Sequence, residues 1–182
     1  MSIKLKIPLE DKRLLQDLKI GDFVEISGWL LCGRDATCRK ILTAIKEGDF
    51  HFDFDNQLMY YVGPTPAPPG KIIGSCGPTT SLRMDDFMQE FFNLGLSATM
   101  GKGKRSSLVK ELHALYKVVY FVTFGGAGAY LSQFVKKVDP IAWQELGPEA
   151  FFRIKVENFP AVVGIDTRGE DLYERSSPLF PP

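Results

Sequence analysis

The chain has 182 residues, with 22 basic and 22 acidic side chains and no net charge when its histidines are neutral. That length suggests one domain, over residues 1–182, able to bury a core of its own. A balanced charge excludes the broad basic face that nucleic acid or an anionic membrane surface requires, so any anion recognition has to be made locally by a few cations.

The predicted elements follow in order. Ile3, Leu5 and Ile7 alternate with Lys4 and Lys6 as an edge strand does. Lys12–Leu18 reads as a short helix, closed by a turn at Ile20-Gly21-Asp22. Phe23–Leu31 is a strand, with Gly28 a candidate bulge. Asp35 is a plausible N-cap for a helix whose apolar face is Ile41, Leu42 and Ile45, ending near Gly48. A short strand, Leu58–Val62, leads into GPTPAPPG, a stiff extended loop. A strand is predicted at Lys71–Ser75 and a helix at Leu82–Leu94. A short segment at Ala98–Met100, the loop GKGKRS and a helix at Ser107–Tyr116 come next. The uncharged run Val118–Val135 approaches the length of a membrane span. Its GGAG breaks it, which predicts a strand at Val118–Phe124 and a helix at Ala129–Val138 instead. Strands at Phe152–Val156 and Ala161–Ile165 and an extended tail, RSSPLFPP, complete a mixed α/β order.

Three cysteines, Cys32, Cys38 and Cys76, are an odd number that suits a reducing cytoplasm. The opening MSIKLKIPLEDKRLL has no apolar run of the signal-peptide kind.

Three loops carry chemistry. CGRDATC leaves a strand and enters a helix, where backbone N–H groups point outward, with Arg34 at the mouth. On the residues alone, Arg34 reads first as a surface arginine beside an N-cap aspartate. GPTTSLRMDD places Thr79, Thr80 and Ser81 before a helix, where one hydroxyl suffices as a cap. The surplus hydroxyls and the Arg83 fork suit a carboxylate or phosphate, or an ordinary helix start. GKGKRSS lacks the Walker A spacing and is a generic anion loop or a solvated basic turn. Such junctions gather at one edge of a sheet. Arg34, Arg83 and Lys102 converging there would make a pocket for a small dianion. His51 and His113 show no metal-ligand spacing, and Cys32 and Cys38 with one further cysteine cannot build a four-cysteine site. HFDFDNQ alternates acids and aromatics, and reads as an exposed turn before a metal site.

Five stretches in order, GDFVEISGWLLCGRDAT, YYVGPTPAPPGKIIGSCGPTTSLRMDDF, GKGKRS, VVYFVTFGGAGAYL and FPAVVGIDTRGEDLYE, carry a resemblance over about residues 20–174. The chain resembles the β subunit, or C-terminal domain, of class I fumarate hydratases and the related L(+)-tartrate dehydratases. The resemblance implies a swivelling β/β/α three-layer α/β domain with a mixed sheet, forming half of a cytoplasmic hydro-lyase. It implies a [4Fe–4S] cluster on a partner α subunit and not on this chain, whose open iron binds the substrate as a Lewis acid. It implies a C4 dicarboxylate substrate and a hetero-oligomer, or a homodimer when isolated, with no nucleic acid, no membrane and no metal on this chain. Carried over, Arg34 and Arg83 bind carboxylates, Thr79 takes the proton-transferring position, and Lys102 contacts the same substrate. Cys38 stands where the family usually has histidine, Gly33 where alanine usually precedes the arginine, and Cys76 close before GPTT. These departures leave fumarate, tartrate and other hydroxy-diacids open, with a non-catalytic small-anion-binding module as the further alternative.

Overall fold

The computed structural model describes residues 2–175. Seven strands form one mixed sheet: β1 (Ile3–Ile7), β2 (Phe23–Cys32), β3 (Leu58–Tyr60), β4 (Ala98–Gly101), β5 (Val119–Val122), β6 (Val135–Ala142) and β7 (Phe151–Ile165). Four α-helices accompany them: α1 (Asp35–Glu47), α2 (Met88–Asn93), α3 (Ser107–Tyr116) and α4 (Gly128–Leu131). Strands β2 to β5 run parallel side by side, and β7 runs antiparallel to both β5 and β2. The pairings therefore close into a circuit, β2-β3-β4-β5-β7-β2.

Side-chain alternation on these strands separates two cores. Leu30, Cys32, Tyr60, Met100, Phe121, Ile154 and Val163 share one cluster, enclosed by the circuit. Leu31, Met59 and Tyr61 point the other way, onto Ile41 of α1, Met88 and Phe91 of α2 and Val109 of α3. Gly28 sits where β1 crosses β2: a Cβ there would lie 1.9 Å from the Ile7 carbonyl oxygen. The β2–β7 register shifts at the same place, so Gly28 is the bulge expected of it.

Four local expectations give way to tertiary pairing. Lys71–Ser75 is not a strand, since β3 and β4 pair directly and leave it no slot. It folds back on the proline loop instead, with Thr65 N–H donating to the Ser75 carbonyl at 3.0 Å. The helix expected at Ala129–Val138 stops after α4 and a 3-10 turn at Ser132–Phe134, and Val135 onward becomes β6, paired along β7. The two strands expected near the C-terminus are one continuous β7, because Phe159 and Pro160 stay paired with Ile26 and Glu25. The predicted helix over Leu82–Leu94 is a 3-10 segment, Ser81–Phe87, followed by α2. HFDFDNQ places Phe52 and Phe54 in an aromatic cluster with Phe151. The expected tail lies, beyond Arg175, outside the described residues.

Candidate active site

Cys32, Tyr60, Met100 and Phe121 pair in one row across β2 to β5. The loops that leave these four parallel strands therefore start at the same level, at their carboxyl ends. That is the edge at which α/β sheets gather ligand groups. Arg34 lies two residues past Cys32, and Lys102 two past Met100. Backbone bridges stitch the loops together: Val62 to Pro78, Thr80 to Lys102, and Thr123 N–H to the Gly101 carbonyl at 3.0 Å.

Arg34 occupies the N-cap position of α1, and Asp35, expected there, is the first helical residue. The Arg34 N–H donates to Thr37 Oγ1 at 3.1 Å, and the Thr37 hydroxyl donates to the Glu149 carbonyl at 2.6 Å. Gly33 leaves room for this: a Cβ there would lie 2.7 Å from Thr37 Cγ2. The Arg34 guanidinium is half-buried and ion-paired with Glu149. Asp35 Oδ2 lies 4.0 Å from Arg83 Nη1, which links the starts of α1 and the Ser81–Phe87 segment. Arg83 is about half exposed (51%).

Thr79 is fixed by its backbone. Its N–H donates to the Tyr61 carbonyl at 2.8 Å, and its own carbonyl accepts from Lys102 N–H at 3.2 Å. The Ser81 N–H donates to the Lys102 carbonyl at 2.9 Å. Thr79 and Lys102 thus lie on adjacent extended segments. The Lys102 side chain runs along Gly125, whose Cβ position lies 3.4 Å from Lys102 Cδ. Lys104 is exposed on the same loop. Of the three hydroxyls, none caps the helix by its side chain: Thr80 holds the cap position without such a bond, and Ser81 is buried against the Tyr120 hydroxyl at 2.9 Å.

Beneath these groups lies an ion pair that the sequence did not reveal. Arg105 is buried, and its Nε donates to Asp85 Oδ1 at 2.6 Å. Asp85 Oδ2 accepts from the Ser106 N–H at 2.6 Å, at the start of α3. The Arg105 guanidinium carbon sits 5.0 Å from the Tyr120 ring centre and 5.5 Å from that of Tyr61. A buried charge demands such partners. Only the run KRSS hinted at it, and nothing in that run separates a buried arginine from a solvated one.

The structure thus brings Arg34, Thr79, Arg83 and Lys102 to one edge, half-buried or exposed, on a floor held by Arg105 and Asp85. The model of the Fumarase C-terminus family matches residues 1–176. The chain belongs to that family. A protein of Methanocaldococcus jannaschii, named as a candidate L(+)-tartrate dehydratase subunit beta, is 36% identical over 170 residues, covering 90% of this chain and 87% of that protein. The L(+)-tartrate dehydratase subunit beta of Escherichia coli is 31% identical over 171 residues, 91% of this chain and 84% of its own length. Fumarate hydratase 2 of Leishmania major is 34% identical over 180 residues, which are 97% of this chain and 32% of that protein. The chain therefore spans most of the tartrate dehydratase subunits it matches and about a third of the fumarate hydratase.

Arg34, Thr79, Arg83 and Lys102 share one edge of the sheet. Arg34 and Arg83 both have an intrachain carboxylate beside them, Glu149 and Asp35, so neither stands as an isolated cation.

Proposed function

We propose that this chain is the β subunit of an iron–sulfur hydro-lyase that works with a cluster-bearing α subunit on a C4 dicarboxylate. Fumarate and water to L-malate is the main reaction, run reversibly. The observation that carries this reading is the convergence of Arg34, Thr79, Arg83 and Lys102 on an open edge. Such an arrangement is half of a site and needs a cover. Residues 1–182 act as one domain, the swivelling β/β/α half of the enzyme, in the cytoplasm. Among the described residues no helix is long and apolar enough to cross a membrane.

The residues of this chain do not fit a [4Fe–4S] cluster. Cys32 and Cys76 lie in the enclosed core and Cys38 in the core under the helices. Among the described residues no three metal-binding side chains group together. The cluster is assigned to the α subunit, and this chain contributes side chains alone.

Arg34 and Arg83 hold the two carboxylates of the substrate through charge-assisted N–H donors. Proton exchange at a carbon beside a carboxylate moves negative charge onto that carboxylate. Fixed guanidinium groups stabilise it without reorganising. Lys102 adds a point charge on the same side. The Thr79 hydroxyl lies at the proton-transferring position and exchanges a proton only with a base to partner it, which comes from the α subunit.

A second reading, L(+)-tartrate dehydration, is supported by the relatives matched over most of their length, which carry that name. Co-expression with the α subunit and an anaerobic assay on fumarate, L-malate and L(+)-tartrate separates the two. Thr79→Ala should lower kcat by roughly 10²–10⁴ and Thr79→Ser much less. Arg83→Lys should be nearly as damaging as Arg83→Ala, because lysine lacks the planar fork. An assembled complex that turns over none of the three would leave a non-catalytic anion-binding module as the function.

A further inference from the structure

Glu149 lies in a 3-10 segment, Gln144–Glu149, that connects β6 to β7, far along the chain from Arg34. We propose that Glu149 is the positioning residue of Arg34, and that it fixes which edge of the guanidinium is offered to substrate. This rests on the reading of Arg34 as a carboxylate ligand.

The geometry is specific. Arg34 Nε donates to Glu149 Oε1 at 2.9 Å, and Nη2 donates to the same oxygen. One carboxylate oxygen thus occupies the side of the guanidinium formed by Nε and Nη2. Nη1 is left for another acceptor. It lies against Gly63, where a Cβ would come within 2.8 Å of it. Gly63 follows Val62, which is bridged antiparallel to Pro78, the residue before Thr79. The segment bearing Glu149 is itself tied down, since its carbonyl accepts from the Thr37 hydroxyl. A long side chain that is free in solution is thereby held in one rotamer before a ligand arrives, and the ordering cost of binding falls. The pairing also lowers the local charge, so Arg34 selects by geometry more than by long-range attraction. Glycine at position 63 suits the same contact, because a Cβ there would push the guanidinium out of its held position.

The test uses the assembled two-subunit enzyme. Glu149→Ala should raise KM for the dicarboxylate about ten-fold with a much smaller change in kcat, the signature of lost ground-state placement. Glu149→Gln keeps an acceptor for Nε–H and should fall between. Gly63→Ala, which meets only the end of a flexible side chain, should raise KM while leaving the melting temperature unchanged. A KM unchanged or lowered in Glu149→Ala overturns the proposal: unchanged with a lower melting temperature makes Glu149 a strut, and lowered makes it a competitor for the fork. A second readout needs no turnover. In the isolated chain, phenylglyoxal should modify Arg34, followed by peptide mass mapping, faster in Glu149→Ala than in the wild type. Equal rates overturn the pairing. A wild-type complex inactive on every dicarboxylate overturns the proposed function instead, and the modification rates still decide whether Glu149 holds Arg34.

Discussion

The Tyr120 hydroxyl binds both arms of the candidate site, in addition to the backbone bonds between them. It donates to the Gly103 carbonyl at 2.9 Å and, its one proton spent there, accepts from the Ser81 hydroxyl. Ser81 lies two residues past Thr79, and Gly103 one past Lys102. Tyr120→Phe keeps the ring under Arg105 and removes only that junction. The buried Ser81 hydroxyl then loses its acceptor, which costs about 1–3 kcal/mol. The expected result is a lower melting temperature together with a kcat/KM reduced about ten-fold in the assembled enzyme, since both arms shift. Full activity in a destabilised Tyr120→Phe would show that the backbone bridges alone fix the two arms. Arg34, Arg83 and Lys102 stood out in the sequence only as cations at turn-rich junctions between strands and helices, and Thr79 as one of three adjacent hydroxyls; their roles came with the family resemblance. Glu149, Asp85 and Tyr120 did not stand out, because each acts on a residue distant in the chain: 115 residues for Arg34, 20 for Arg105 and 39 for Ser81.

Among the elements, α3 carries a buried titratable group. His113 is inaccessible to solvent; its Nδ1 bonds the Val109 carbonyl at 2.7 Å and its Nε2 has no partner among the described residues. Burial, with the nearby Arg105 charge, pushes its pKa down to about 3. An unfolded histidine titrates near ~6.5. Below that pH the unfolded chain takes up a proton that the folded chain refuses. This contribution to stability is therefore complete above about pH 6.5 and is lost as pH falls toward 3, at up to about 1.4 kcal/mol per pH unit. Denaturant titrations at pH 7 and pH 5 should show wild type losing more stability than His113→Leu. Equal losses would mean that the imidazole is protonated inside the fold. The helices α1 and α3 and the strands β1, β2, β3 and β5 were readable from period and flanking turns. Strand β6 was not: Leu131, Phe134, Val135 and Val138 repeat at helical spacing, yet Val135 and Val138 pair with Val156 and Ile154. The open edge of β7 outweighs a local period, which is how tertiary context overrides propensity in strands.

For the molecule as a whole, the neutral charge and the thiol positions set what it can do alone. The three thiols are buried on two sides of the sheet. Burial pushes Cys76 up to about 12, and Cys32 and Cys38 also upward, away from the thiolate form that binds iron. Anaerobic incubation of the isolated chain with iron and sulfide should give no thiolate-to-iron absorption band and no activity, both gained only with the α subunit. A stable cluster on this chain alone would count against the two-subunit assignment. The closed circuit of strands has a different consequence, for the order of folding. Strand β7 is the last of the seven to be synthesised, and it closes the circuit by pairing with both β2 and β5. A nascent chain therefore carries β1 to β5 with an unpaired edge on β5 and an apolar interior open to water until Phe151–Ile165 emerges. Non-local pairing of this kind is slow to form and exposed to aggregation while it waits. The same strand that completes the circuit makes the interval between the emergence of β5 and that of β7 the one in which this protein most needs shelter.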